Sequence, residues 1–144
     1  MNPIATTGYE QETQPEVIGR LKTAGVDLVI DVRAVASSRR AGFSKTLLAG
    51  SLAEAGIGYL HLRDLGTPKA GRQAARAGHY AEMQSIFSEH MQEPQAQLAL
   101  AQAAELTRDH RACLLCYEHD PAHCHRTIVA ELIAEQTGAP VLHL

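Results

Sequence analysis

Val26-Asp27-Leu28-Val29-Ile30-Asp31-Val32-Arg33 is the stretch from which the fold can be read. It is β-branched and almost continuously apolar at its centre, whereas a strand with one wet face would alternate polar and apolar positions. A strand buried on both faces follows. Sheets covered twice are mostly parallel, with helices above and below them. This strand is expected over Val26–Val32, with Asp31 and Arg33 at its exit.

Working outward, Ile4–Thr7 reads as a first strand, left through Gly8, Tyr9 and Glu10. Thr13 stands three residues before Glu16, a capping-box spacing, and Val17, Ile18, Leu21 and Ala24 recur at helical intervals until Gly25. Downstream, Ser44 is a plausible N-cap for a helix carrying Leu47, Leu48, Leu52 and Ala55, and Gly58–Leu62 is the next strand. Arg63–Gly78, rich in Gly, Lys and Arg and longer than most connections, is expected to be a binding loop or lid. Helices are expected over His79–Met91 and Pro94–Asp109, then an apolar strand Ala112–Cys116, a last helix His123–Thr137 and a short strand Val141–His143. The alternation predicts one α/β domain over residues 1–144. It is a three-layer, Rossmann-like architecture, a mostly parallel five-stranded sheet with helices on both faces and the first and fourth strands central.

A chain of 144 residues is the size of one domain and can bury a core without disulfides or a structural metal. Aromatic residues make up only 4%, which argues against a base-stacking platform and leaves nucleic acid a weakly supported partner. The net charge of −3 gives no global attraction for anions, so any such attraction is local. Cys113, Cys116 and Cys124 are too few and too odd a number for a disulfide framework. The first residues carry no charged-then-apolar signal pattern, and a cytoplasmic location is expected. No apolar run approaches the roughly 20 residues a bilayer span needs, so no membrane partner is expected.

Parallel α/β sheets bind ligands outside the carboxyl ends of their strands. The residues that follow each strand are Gly8-Tyr9, Asp31-Val32-Arg33, His61-Leu62-Arg63 and Cys116-Tyr117-Glu118, with Cys124-His125-Arg126 opening the last helix. Nearly every chemically capable side chain is therefore expected at one edge. Guanidinium forks match phosphate and carboxylate oxygens, which makes Arg33, Arg39, Arg40, Arg63 and Arg126 candidate anion ligands. Lys69, Arg72 and Arg76 add positive charge from the long connection. Asp120 and Pro121 read as a helix start, and a helix N-terminus attracts anions and favours a thiolate, so Cys124 and His125 are candidate catalytic groups. Cys116 and Glu118 are candidates on the strand side. Gly8, Tyr9, Asp31, His61 and Tyr117 are candidate ligand contacts. The plainer alternatives are a core residue for Cys124, a satisfied polar group for His125 and surface charges or ion pairs for the arginines. Cys113 reads as core.

Three functional readings fit these residues. The first is an enzyme acting on a phosphate-bearing small molecule, nucleotide or nucleic-acid end. The second is a noncatalytic module that binds an anionic ligand or nucleic acid. The third is a metal-binding protein using Cys116, His119, His123, Cys124 and His125, whose residue types suit zinc although their spacing matches no familiar pattern. The favoured expectation includes no cofactor and no metal.

Five motifs in order resemble the bacterial family called domain of unknown function 488. They are Thr6-Thr7-Gly8-Tyr9, Asp31-Val32-Arg33, Ser38-Arg39-Arg40-Ala41-Gly42-Phe43-Ser44, His61-Leu62-Arg63-Asp64-Leu65-Gly66, and Leu114-Leu115-Cys116-Tyr117-Glu118 followed by Cys124-His125-Arg126. The resemblance covers almost the whole chain. It implies a small single-domain cytosolic protein, brings no established activity, and marks Arg33, Arg39, Arg40, Cys116, Glu118, Cys124, His125 and Arg126 as site residues. Ala36 and Ala41 stand where proline is usual, and Thr67 where a second glycine is usual. A looser likeness to rhodanese and to low-molecular-weight phosphatases lies in a strand that ends at cysteine before a helix begins, but the short loop to a paired arginine is missing.

Overall fold

The computed structural model describes residues 2–144. Among them the chain forms β1 (Ile4–Gly8), α1 (Gln14–Thr23), β2 (Leu28–Asp31), α2 (Lys45–Glu54), β3 (Gly58–His61), α3 (Lys69–Arg76), α4 (Tyr80–His90), α5 (Pro94–Asp109), β4 (Ala112–Cys116), α6 (His125–Thr137) and β5 (Val141–His143). Single 3-10 turns lie at Arg63–Leu65 and Pro121–His123.

The strands pair in the order β3-β2-β4-β1-β5, and every pairing is parallel. Of the two strands expected at the centre, β4 occupies it and β1 lies beside it. The period of two along each strand sorts the core into two layers. Leu28, Ile30, Ala112, Leu114 and Cys116 pack with Met83, Phe87, Leu100, Val129 and Ile133 of α4, α5 and α6. Val29, Cys113 and Leu115 pack with Val17, Leu21, Leu48 and Leu52 of α1 and α2 on the other face. The strands are thus covered twice, as the unbroken apolar run of β2 requires.

The capping box at Thr13 forms in full, with its hydroxyl accepting from the Glu16 N–H and the Glu16 carboxylate accepting in return from the Thr13 N–H. Ser44 does precede α2, but its hydroxyl bonds the Ser38 backbone instead of the helix end, which ties down the loop over residues 38–44.

Two expectations need correction. The connection after β3 is not a loop throughout, because Lys69–Arg76 winds into α3 and packs on α4, with Gly71 and Ala74 buried. Its Gly, Ala and Arg content reads as a loop only if helix-compatible alanines and arginines are discounted. The last helix also starts later than Asp120-Pro121. Asp120 caps only the short 3-10 turn by accepting from the Ala122 N–H. α6 begins at His125, with Cys124 in extended conformation as its N-cap.

Candidate active site

The exits of β2 and β4, the loop over residues 34–39 and helices α3 and α4 enclose a cleft of about 600 Å³ at the carboxyl edge of the sheet. Cys116, Glu118 and His125 lie at its sheet end. Arg39, Arg72 and Arg76 line its walls, together with Ser37, Ser38, Tyr9 and Tyr117. At the rim the Tyr80 ring stacks on His123, with centroids 3.9 Å apart. Among the described residues, none of the three wall guanidiniums forms an ion pair with a carboxylate. Arg72 donates to the Thr67 carbonyl, which fixes its direction without cancelling its charge. Glu10 and Asp120 also line the cleft, where they accept from the backbone N–H groups of His119 and Ala122 and keep their charge.

The sheet end of the cleft is built by chain topology. Cys116 closes the central strand, and the segment over residues 117–124 returns over the edge so that Cys124 and His125 start α6 directly against it. Gly8 makes this return possible, because a Cβ at that position would stand 1.8 Å from the Glu118 carbonyl oxygen. Arg126, almost fully buried, clamps the same segment by donating to the carbonyls of Glu118 and His119. Its Nε finds no partner among the described residues.

His125 bonds the Val32 carbonyl through Nε2 at 2.7 Å. A carbonyl only accepts, so Nε2 carries a proton and Nδ1 is the nitrogen left for chemistry. That Nδ1 lies 3.8 Å from Cys116 Sγ, and Glu118 Oε2 lies 3.9 Å from the same sulfur. Phe87 packs edge-on against the imidazole at 5.0 Å and holds its plane. The donor atoms of Cys116, Cys124 and His125 all fall within 4.8 Å of one another.

Proximity and burial couple the protonation of these groups. Burial above all, with the charge of Cys124 behind it, pushes Glu118 up to about 7. The hydrogen bond to Cys124, followed by burial, holds the Cys116 thiol well above its ordinary value. At Cys124 burial opposes ionisation, but hydrogen bonds from Cys116 and His125 and the positive charges of His125 and Arg126 outweigh it, so this thiol lies well below the usual range. His125 is raised, since its bond to Cys124 outweighs the cost of burial. The directions thus oppose one another, favouring ionisation at Cys124 and His125 and opposing it at Cys116 and Glu118.

Residues 13–133 match the family model for the domain of unknown function DUF488. The chain belongs to the DUF488 family. No curated protein and no solved structure matches it.

In this DUF488 chain the motif arginines do different work. Arg33 is buried, lies against Asp31 at 2.7 Å, and donates further to the Tyr9 hydroxyl and the Phe43 carbonyl. Asp31 is fully buried beneath it. Arg40 does not line the cleft and donates to the Glu12 carbonyl. Arg63 and His61 line a separate shallow groove with Lys45, and His61 bonds the Arg33 carbonyl. Of the candidate anion ligands, Arg33 and Arg39 line the cleft, and only Arg39 does so without a carboxylate partner. Tyr9 and Tyr117 line the cleft, whereas Gly8 acts by leaving room for Glu118. Of the five possible metal ligands, His119 turns to Glu12 and His123 lies against Tyr80, leaving Cys116, Cys124 and His125 together.

The cleft-lining pair Arg72 and Arg76 carried less weight in the sequence than the motif arginines. Their spacing of four residues was the available signal, since helical winding puts both on one face.

Proposed function

We propose that this DUF488 protein is an enzyme acting on a phosphate-bearing small molecule or nucleotide. Arg39, Arg72 and Arg76 hold the phosphate, and the polar end formed by Cys116, Glu118, Cys124 and His125 faces the reacting atoms. The observation that carries this reading is three arginines without carboxylate partners lining one cleft together with a cluster of reactive groups. Like charges four residues apart on a helix cost a few tenths of a kcal/mol, and Arg72 and Arg76 stand in that relation on α3. An anion seated between them would turn the repulsion into attraction, with bidentate hydrogen bonds in place of hydration. The cleft also has the size of a small-molecule site.

Thermal-shift measurements with nucleoside phosphates, sugar phosphates and inorganic phosphate test the reading. A ligand that binds the folded state raises its stability by about 2.7 kcal/mol at a hundredfold excess over Kd. Arg76→Ala and Arg72→Ala should abolish the shift with each ligand that gives one, while changing the stability of the free protein by no more than about 0.5 kcal/mol. An unchanged shift in both variants would place the anion elsewhere. Turnover of a ligand found in this way, followed by mass spectrometry, should be lost in Glu118→Gln. Binding without turnover in the parent protein would instead favour a sensing module.

A further inference from the structure

We infer that Cys116, Cys124 and His125 form a binding site for a thiophilic divalent cation of the zinc class, with its fourth coordination position open to the cleft. Four observations, each independent of how these groups titrate, support it. The three donor atoms lie within 4.8 Å of one another although they come from the end of β4, the N-cap of α6 and its first residue. Zinc bonds of about 2.3 Å to sulfur and 2.0–2.1 Å to nitrogen, at tetrahedral angles, place sulfur and nitrogen about 3.6 Å apart. Cys116 Sγ and His125 Nδ1 are 3.8 Å apart, so this pair reaches that separation with a movement of a few tenths of an ångström.

The imidazole is oriented in the manner of a metal ligand. Its Nε2–H is spent on the Val32 carbonyl, which presents Nδ1 toward the sulfurs, and ligating histidines commonly give their second N–H to a carbonyl or carboxylate. The donor set of two sulfurs and one imidazole favours zinc over magnesium or calcium, which take oxygen ligands.

Three protein ligands and one open position distinguish catalytic zinc centres from structural ones, which close all four. Cys116 and His125 line the cleft, and so does Glu118, whose Oε2 is 3.9 Å from Cys116 Sγ. Glu118 thus stands where it can complete the coordination or take a proton from a molecule that does.

The site does not depend on the wall arginines, so the two readings can fail separately. Protein purified from zinc-supplemented medium without chelator, then freed of loosely held metal by gel filtration, should carry about one zinc per chain by elemental analysis. Cys124→Ser, Cys116→Ser and His125→Ala should each lower that content at least fivefold, while His119→Ala, His123→Ala and Arg76→Ala leave it unchanged. Cobalt(II) added to the metal-depleted parent protein should give thiolate-to-cobalt charge transfer and the intense visible bands of tetrahedral coordination. Should the cysteine variants fail to fold, alkylation of the parent protein supplies the answer, since zinc should protect Cys116 and Cys124 and a chelator should expose both. The inference is overturned by parent protein that retains no stoichiometric zinc or cobalt. It is equally overturned by metal content that survives loss of either cysteine, or by alkylation of both thiols at the same rate with and without zinc.

Discussion

Two buried polar clusters sit at the ends of the neighbouring strands β2 and β4, and they are built in opposite ways. At β2, Asp31 accepts from the Arg33 backbone, from Arg33 Nε and Nη2, and from the Tyr59 hydroxyl, while Arg33 Nη1 reaches Tyr9 and Phe43. Each guanidinium nitrogen of Arg33 has an acceptor, and the charges of Arg33 and Asp31 cancel. At β4, Cys116, Glu118, Cys124 and His125 crowd together with no contact from Cys116 to Glu118 or His125 shorter than 3.8 Å. A cluster that is satisfied within itself is scaffold, whereas one that keeps unspent donors and acceptors at a cleft is available for a ligand. The two are joined at Val32, which lies between Asp31 and Arg33 and gives its carbonyl to His125.

The largest effect is expected from breaking the closed cluster. Asp31→Ala leaves the Arg33 guanidinium buried without its counter-ion, a change that costs about 3–5 kcal/mol in comparable buried pairs. Urea denaturation should show that loss, and Asp31→Ala combined with Arg33→Met should recover a large part of it, because the stranded charge is gone. A loss below about 1 kcal/mol would mean that water reaches Arg33 and that the contrast between the clusters is overstated.

The same contrast explains what could be read from the sequence. Strand and helix positions were legible because their signals are local. The continuous apolar run of β2, the Thr13 capping box and the glycine after α1 each act within one element. The convergence of motifs on one edge followed from the parallel topology. What could not be read was which charge is spent. The Arg33 charge is met by Asp31, Arg126 is held by backbone carbonyls, and no spacing in the sequence announces Phe43 or Glu118 as an acceptor. Arg72 and Arg76 drew less attention because the segment holding them read as a loop, although its alanines suit a helix. The metal-like grouping was hidden by neighbours, since His119 and His123 share the segment with Cys124 but turn elsewhere.

A second, smaller effect probes how the open cluster is held. A Cβ at Gly8 would also stand 2.6 Å from the Glu118 carbonyl carbon, and backbone cannot yield as a flexible side chain can. Gly8→Ala should cost about 1–3 kcal/mol, in the range of overpacked sites. It should also displace the segment that carries Glu118, so zinc content and any phosphate-induced thermal shift should fall together. Stability lost with both readouts intact would show that the open cluster tolerates movement of its frame.

The smallest effect sharpens the comparison through pH. Tyr59 donates to Asp31 Oδ2, and burial first, then that bond and the Asp31 charge, raise its pKa against the opposing pull of Arg33. Tyr59→Phe removes the bond with little change of shape and should cost about 1 kcal/mol at neutral pH. The free phenol ionises near pH 10. Because the folded hydroxyl keeps its proton to higher pH, its stabilisation is complete below that value and drains away as the unfolded chain begins to ionise. Parent protein should therefore lose stability above about pH 10 faster than the phenylalanine variant, and the gap between them should narrow. No comparable narrowing should accompany substitutions on the cleft wall, where Arg72 and Arg76 face solvent and hold no tyrosine hydroxyl. A gap that stays constant through the alkaline range would mean that Tyr59 is not part of the closed cluster, and that Asp31 is held by Arg33 alone.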